Sequence, residues 1–381
     1  MSVQQQKIIS DNLKQLSKNK EVLKKKWDDF LIENPKKRIR DVAKALNVSE
    51  MELLATDLLR SVYCLAGDIK LMAKEFKTLG KVFSLVRNEW AVNEKTGTFK
   101  KLAGMEHVGL FLGEMDQRLF FKKWNYGFFV NQNNKQSIQI FDRNGDAILK
   151  IYKQDETKES AWNDLIESFK DDKTKVLDFS IAQNKQKIEP VKIDSTQFSK
   201  RWAAIKDVHQ YAQLLHELNM TRKQAFEKAP NEFAHRLSNE DVLSVIQDIQ
   251  GKQVPVVLFV GNKGAIQIFT GKFERIVVMD KWYNVFNKDF TLHLDSSGID
   301  QFWLVRRPSA YGVISSIELL DQKGNTIMQI FGERAPKDLE LESWREILNA
   351  YQLNNVQDTE ILLFEINKDN EFVTNKEVSH G

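Results

Sequence analysis

The chain contains two copies of one unit, and this duplication constrains its fold more than any other feature. Residues 137–152 align on residues 316–331 without a gap, at a constant offset of 179. Both segments alternate β-branched and polar residues around an Asp-x-x-Gly turn whose glycine, Gly145 or Gly324, can take positive φ. Each segment therefore predicts a β-hairpin.

Three further blocks repeat in the same order. Residues 87–99 align with residues 261–273 at an offset of 174. Two pairs of tryptophans follow at similar spacing: Trp27 with Trp202, at offset 175, and Trp162 with Trp344, at offset 182. Four matched blocks in one order indicate a duplication of the whole unit.

Each copy begins with helical sequence, continues with short strands and closes with a helix that Trp162 or Trp344 begins. This order predicts an α+β fold with an internal duplication, in which each copy has a large antiparallel β-sheet covered by helices on one face.

A length of 381 residues allows about two and a half typical domains. The duplication accounts for most of that length, because it predicts two repeats joined by a polar linker at about residues 171–199. The predicted boundaries are a helical N-terminal extension over 1–25, repeats over 26–185 and 186–352, and a polar C-terminal tail over 353–381.

Composition excludes several classes of protein. The single cysteine, Cys64, excludes an intramolecular disulfide and any cysteine-built zinc or iron–sulfur site. The N-terminus lacks the apolar core of a secretory signal, and no run of about 18 apolar residues could span a bilayer. We therefore expect a cytoplasmic protein without membrane insertion.

Residues 40–54 have the spacing of a helix-turn-helix. The second helix, expected to run from Ser49 through Arg60, carries three acidic residues against one arginine, whereas contact with phosphates requires a basic face. A packed helical hairpin capped by Ser49 is the better interpretation. The formal net charge of +3 agrees with the expectation that no nucleic acid is bound.

Phosphate loops, zinc-protease helices and nucleophile elbows are absent from the sequence, which leaves the histidines. His209 and His216 are seven residues apart and are predicted to share one face of a helix. By the tryptophan offset, Asn34 is equivalent to His209, so a histidine there is not required by the shared scaffold. Either a structural role or a ligand role remains open on this evidence.

Five segments of the C-terminal copy carry a close resemblance to a known family: residues 202–211, 218–226, 257–264, 267–271 and 290–294. The Asp-Val-His-Gln and Phe-Val-Gly-Asn blocks within them are the most specific. They resemble the HemS/ChuS/HmuS family, the cytoplasmic haem-utilisation proteins of Gram-negative bacteria.

The resemblance implies one molecule of haem b, iron protoporphyrin IX, held between the copies, with His209 as the proximal iron ligand. On the distal side it implies Arg118, as the catalytic residue, and Phe120. These two side chains share one face because strand residues alternate. The remaining contacts that it implies are Arg222, Phe259, Arg307, Gln329, Phe331 and Arg334, the arginines being suited to the two haem propionates.

The sequence departs from the family in two of these contacts: Arg307 stands where the family has a lysine, and Phe331 stands where it has a tyrosine. Some members bind haem through a histidine of the N-terminal copy, and His107, expected in a strand, takes that place here. It is therefore a candidate secondary ligand.

The expected function is uptake of imported haem followed by oxidative degradation that releases iron, with an external electron donor. The alternative is a non-enzymatic haem chaperone or store that uses the same residues. A haem importer or a downstream haem acceptor would be the partner. A third class is a duplicated scaffold whose sheet binds another apolar anion or a protein.

Overall fold

A computed structural model describes residues 19–171, 191–335, 337–354, 362–366 and 372–376. Most of the predicted N-terminal extension and C-terminal tail, and residues 172–190 of the predicted linker, lie outside the described residues.

The described helices are α1 (residues 19–33), α2 (Ile39–Leu46), α3 (Glu50–Ala55), α4 (Ile69–Glu75), α5 (Glu159–Phe169), α6 (Ser195–Ala203), α7 (Val208–Glu217), α8 (Arg222–Lys228), α9 (Asp241–Gly251) and α10 (Glu342–Asn354). None of the helices within these described ranges is long and apolar enough to cross a membrane.

The strands up to the linker are β1 (Val62–Leu65), β2 (Gly80–Arg87), β3 (Ala91–Thr98), β4 (Ala103–Met105), β5 (Val108–Phe111), β6 (Asp116–Phe120), β7 (Tyr126–Gln132), β8 (Lys135–Phe141), β9 (Ala147–Thr157) and β10 (Lys170–Asp171). Those after it are β11 (Ala234–Leu237), β12 (Val256–Gly261), β13 (Ala265–Gly271), β14 (Arg275–Met279), β15 (Trp282–Phe286), β16 (Phe290–Asp295), β17 (Gln301–Ser309), β18 (Gly312–Leu320), β19 (Thr326–Gly332), β20 (Leu362–Ile366) and β21 (Phe372–Lys376).

Contacts divide the chain into two compact units. The first unit comprises Met1–Val86, Thr96–Asn184 and Asn262–Ala265, and the second comprises Arg87–Lys95, Lys185–Gly261 and Ile266–Gly381. Each unit thus takes one short segment from within the sequence span of the other.

The two units share one strand order in their large sheets: β1-β7-β8-β9-β2 in the first matches β11-β17-β18-β19-β12 in the second. In the first unit β10 is added beside β1, and β4, β5 and β6 pair in sequence. In the second unit β13 is added beside β12, and residues 91–95 of β3 pair with β16, which is followed by β15 and β14. All these pairings are antiparallel, and the predicted α+β fold with an internal duplication is confirmed.

The repeated turns are alike down to single hydrogen bonds. Gly145 and Gly324 close the β8–β9 and β18–β19 hairpins with φ of 78° and 75°. Upstream, the side-chain oxygen of Asn88 accepts bonds from the backbone N–H groups two and three residues later, and that of Asn262 does the same. The offsets of 179 and 174 therefore mark equivalent positions.

Helices cover both faces of each large sheet, so the prediction of a single covered face is wrong. In the second unit Trp303 packs with α6, α7 and α8, whereas its neighbour Leu304 packs with α9 and α10. Successive strand residues point to opposite faces, so both faces are covered. Trp162 and Trp344, near the starts of the closing helices, are fully buried.

The helix-turn-helix segment is a packed hairpin, as predicted. Ser49 caps α3 in a reciprocal pair with Glu52, although α3 ends at Ala55 instead of running to Arg60. Thr221 caps α8 in the same way with Gln224. Both hairpins therefore satisfy the free N–H groups at the start of the second helix by the same device.

The capping residues Ser49 and Thr221 show which positions of the two helical hairpins are equivalent in sequence. Asn47 and Asn219 both adopt a left-handed conformation just before the caps, at an offset of 172. The position equivalent to His209 is accordingly Lys37. The assignment of Asn34, which rested on the tryptophan offset, is wrong because the segment between the tryptophan and the hairpin differs in length.

Candidate functional site

The open part of the large sheet in the second unit carries most of the predicted binding residues. Strand register places Phe259, Gln329 and Glu318 in one row across β12, β19 and β18. Phe331 and Ser316 are opposite each other in the next row. Residues directly opposite in antiparallel strands share a face, so these five side chains lie on one surface.

The two phenylalanines form an aromatic wall at one end of these rows. The rings of Phe259 and Phe331 are 5.4 Å apart between centroids and meet edge to face. Both are half-buried, as is the neighbouring Gln329. A partly exposed aromatic pair beside a polar side chain can pack against a flat apolar ligand.

At the other end of the row, a charged network lies under the helices. Nη1 of Arg222, at the start of α8, donates to Oε2 of Glu318 at 2.9 Å. Arg307 donates to the other carboxylate oxygen, and its Nη1 donates to Oγ of Ser316 at 2.9 Å. The side chain of Arg222 is 28 % exposed, but those of Arg307 and Glu318 are only 3 % and 0 % exposed.

Tyr211 supports both guanidinium groups from α7. Its ring centroid is 4.4 Å from Cζ of Arg307 and 5.5 Å from Cζ of Arg222. Burial raises the pKa of the Tyr211 hydroxyl, so it stays neutral. His209 lies in the same helix two residues earlier, but its side chain is outside the described part of the structure.

Glu318 is charged in spite of its complete burial. Burial alone would raise the pKa of its carboxyl, but Arg307 and Arg222 outweigh this effect and hold that pKa below its ordinary value. Two guanidiniums and one carboxylate leave the network with a net charge of +1. The surface can therefore receive an anionic group beside its aromatic wall.

Arg334 follows β19 in the chain. It is half-buried, and its Nη1 lies 3.3 Å from the carbonyl oxygen of Asp338 and 3.5 Å from that of Ala335. Both hydrogen bonds join Arg334 to carbonyl groups of its own loop. The other predicted contacts of this unit lie together on one face of the sheet: Arg222, Phe259, Arg307, Gln329 and Phe331.

The distal candidates lie in the first unit. Arg118 and Phe120 are on β6 and are half-buried, while Gln117 and Leu119 between them are buried, so the expected alternation is confirmed. Nη1 of Arg118 donates to Asp116 on the same face. Burial raises the pKa of Asp116, although the guanidinium opposes this.

His107 lies in the turn between β4 and β5, so its expected strand position is wrong. Its side chain is exposed, and its Nε2 is 3.9 Å from a carboxylate oxygen of Glu106. No group of three or more His, Cys, Asp or Glu side chains in the described ranges could hold a metal ion. Iron enclosed in a porphyrin needs only one axial ligand, which a single histidine can supply.

Sequence reasoning missed Glu318, Ser316 and Tyr211. One feature of the sequence could have pointed to two of them. In β18, Ser316 and Glu318 alternate with the apolar residues Ile317 and Leu319, and both polar side chains are buried. Buried polar residues of this kind require partners, and the partners are the arginines.

The chain matches the model of the haemin-degrading HemS/ChuX domain twice, over residues 47–169 and 219–351. It is 34 % identical over 320 residues to the hemin transport protein HmuS of Yersinia pestis, covering 82 % of this chain and 92 % of that protein. It is 33 % identical over 329 residues to the hemin transport protein HemS of Yersinia enterocolitica, covering 85 % and 94 %.

Solved structures agree with these sequence matches. The heme degrading enzyme ChuS of Escherichia coli O157:H7 superposes with a TM-score of 0.83 at 33 % identity, covering 87 % of this chain and 99 % of ChuS. The heme-binding protein PhuS of Pseudomonas aeruginosa, in its apo form, gives a TM-score of 0.81 at 32 % identity, covering 86 % and 98 %.

Proposed function

Because the chain belongs to the haemin-degrading HemS/ChuX family, we propose that it binds haem b, taking up imported haem and degrading it oxidatively to release iron. Haem is the substrate in this reaction, and the electrons come from an external donor. We further propose a cytoplasmic location and a haem importer as the upstream partner.

One observation carries the proposal: the second unit places an aromatic wall and an arginine on one face of its sheet. Phe259 and Phe331 supply the apolar surface that a porphyrin ring requires, and Arg222 supplies a partly exposed cation. Haem is flat and apolar with carboxylates at one edge, so its chemistry matches this combination.

The proposed roles follow from the chemistry of each side chain. His209 would hold the iron through its imidazole, and Arg118 with Phe120 would cover the distal side, where Arg118 is the proposed catalytic residue. Bound haem would supply the redox chemistry. Asp116 would keep the Arg118 guanidinium oriented, since the two form an ion pair on one strand face.

A non-enzymatic carrier is the second candidate, because the relatives divide between the two roles. The Yersinia proteins are described as hemin transport proteins and PhuS as a heme-binding protein, whereas ChuS is described as a degrading enzyme. In the carrier version the same residues bind haem, and a downstream acceptor receives it.

The binding proposal is tested by titration of the purified full chain with hemin, followed by the Soret band. We expect saturation near one hemin per chain and a spectrum typical of histidine-ligated ferric haem. His209→Ala should change the spectrum and weaken binding, while His216→Ala, on the same helix, is the matched control. An unchanged spectrum in His209→Ala refutes the ligand assignment.

Turnover separates the two candidates. The hemin complex is reduced under anaerobic conditions, exposed to oxygen with catalase present, and its products are identified. Catalase removes free peroxide, so a defined tetrapyrrole product indicates enzymatic ring opening, and Arg118→Ala should slow its formation. Loss of the reaction with catalase, without a defined product, favours the carrier.

A further inference from the structure

The arginine that is open to a ligand in the second unit already has a carboxylate partner inside the protein. Glu318 binds Arg222 at 2.9 Å and also binds Arg307, and it is fully buried. A carboxylate that approaches Arg222 from the open face therefore meets a guanidinium whose positive charge is already partly neutralised by the buried Glu318.

We propose that Glu318 is an internal competitor for the ligand's carboxylate, and that it limits how tightly this site holds a carboxylate-bearing ligand. The inference rests on the proposed haem-binding function. It assigns Glu318 a regulating role, since a limit on affinity favours release of the ligand to an acceptor.

The two arginines differ in their access to a ligand. Arg222 is 28 % exposed, and only one of its terminal nitrogens is bound to Glu318. Arg307 is 3 % exposed, and both of its terminal nitrogens are engaged, one by Ser316 and one by Glu318. Arg222 therefore receives the ligand, while Arg307 holds the competing carboxylate in place.

The first unit shows that the scaffold does not require an acid at this position. Gln139 occupies the position of Glu318 in the repeated hairpin, opposite Lys150 on the next strand. There the first residue of the capped helix, Glu50, binds Lys150 at 2.6 Å. The fold is thus built once with glutamine at this strand position and once with glutamate.

The experiment compares the affinity of wild type and Glu318→Gln for hemin and for hemin dimethyl ester, which lacks free carboxylates. We expect the variant to bind hemin about tenfold more tightly, because one opposing charge is removed near the carboxylate. Binding of the ester should not change. A purely structural role for Glu318 would weaken both ligands together.

Glu50→Gln is the matched control, because it also removes one buried carboxylate at the equivalent network of the other unit. Its ratio of ester to hemin affinity should equal that of wild type. Glu318→Gln/Arg307→Gln guards against misfolding, since it leaves no unpaired buried charge. It keeps the network's net charge of +1 but frees Arg222 from its internal carboxylate, so its preference for hemin over the ester should exceed that of wild type by less than in Glu318→Gln.

An unchanged or reduced preference for hemin over the ester in both Glu318 variants overturns the inference while leaving the proposed function intact. A similar gain in Glu50→Gln also overturns it, because the effect is then not local. Failure of wild type to bind hemin at all overturns both proposals, so the two failures are distinguishable.

Discussion

Glu340 should make the stability of the second unit depend on pH. Glu340 lies just before α10, and its carboxylate accepts hydrogen bonds from the backbone N–H and the hydroxyl of Ser315. Burial raises the pKa of Glu340 to about 7, although Ser315, Arg306 and Arg345 all favour the charged form.

The direction of the effect follows from the raised pKa. Between the ordinary pKa of 4.5 and about 7, the folded state keeps the proton on Glu340 and the unfolded state loses it. The stabilisation is therefore complete below pH 4.5 and is lost as the pH rises to about 7. Linkage gives a loss of about 2.5 kcal/mol in the free energy of unfolding between pH 5 and pH 8.

Urea denaturation of wild type and Glu340→Gln at several pH values measures this loss. The variant cannot titrate at this position, so its stability relative to wild type should rise by about 2.5 kcal/mol from pH 5 to pH 8. Glu346→Gln, at an exposed position in α10, is the surface control. A constant difference between wild type and Glu340→Gln across this range refutes the reasoning.

Two further changes test the packing of the units. Glu50→Gln should lower the free energy of unfolding by roughly 3–5 kcal/mol, because it leaves the buried Lys150 without its partner. Glu50→Leu/Lys150→Met should recover much of this loss, and an equal loss in both variants would contradict the prediction. Gly332→Ala should lower the free energy of unfolding by about 1–3 kcal/mol, since the added Cβ would lie 2.7 Å from the Trp344 ring. Gly251→Ala, whose Cβ would meet no neighbouring group within 4 Å, should leave that free energy unchanged, and equal urea midpoints for the two variants would contradict this expectation.

Local features of the fold were predictable from sequence where short-range chemistry determines them. The hairpins closed by Gly145 and Gly324 have turn residues with one favourable conformation, and Ser49 signals a helix start three residues before Glu52. The alternation that places Arg118 and Phe120 on one face of β6 follows directly from strand geometry.

Features that depend on long-range packing were not predictable in the same way. The exchange of residues 87–95 and 262–265 between the units requires knowledge of which strands pair. Helices on both faces of the sheets were missed because an apolar strand residue does not reveal which helix covers it. His107 was placed in a strand, but a two-residue turn falls there.

The sequence by itself determined the duplication, the α+β class and the resemblance to haem-utilisation proteins, because these depend on patterns that repeat along the chain. Only the tertiary structure decided that Arg222 and Arg307 share the buried carboxylate of Glu318 and differ in exposure. The charge that a ligand meets depends on which side chains converge from separate strands and helices, and residue spacing does not encode that convergence.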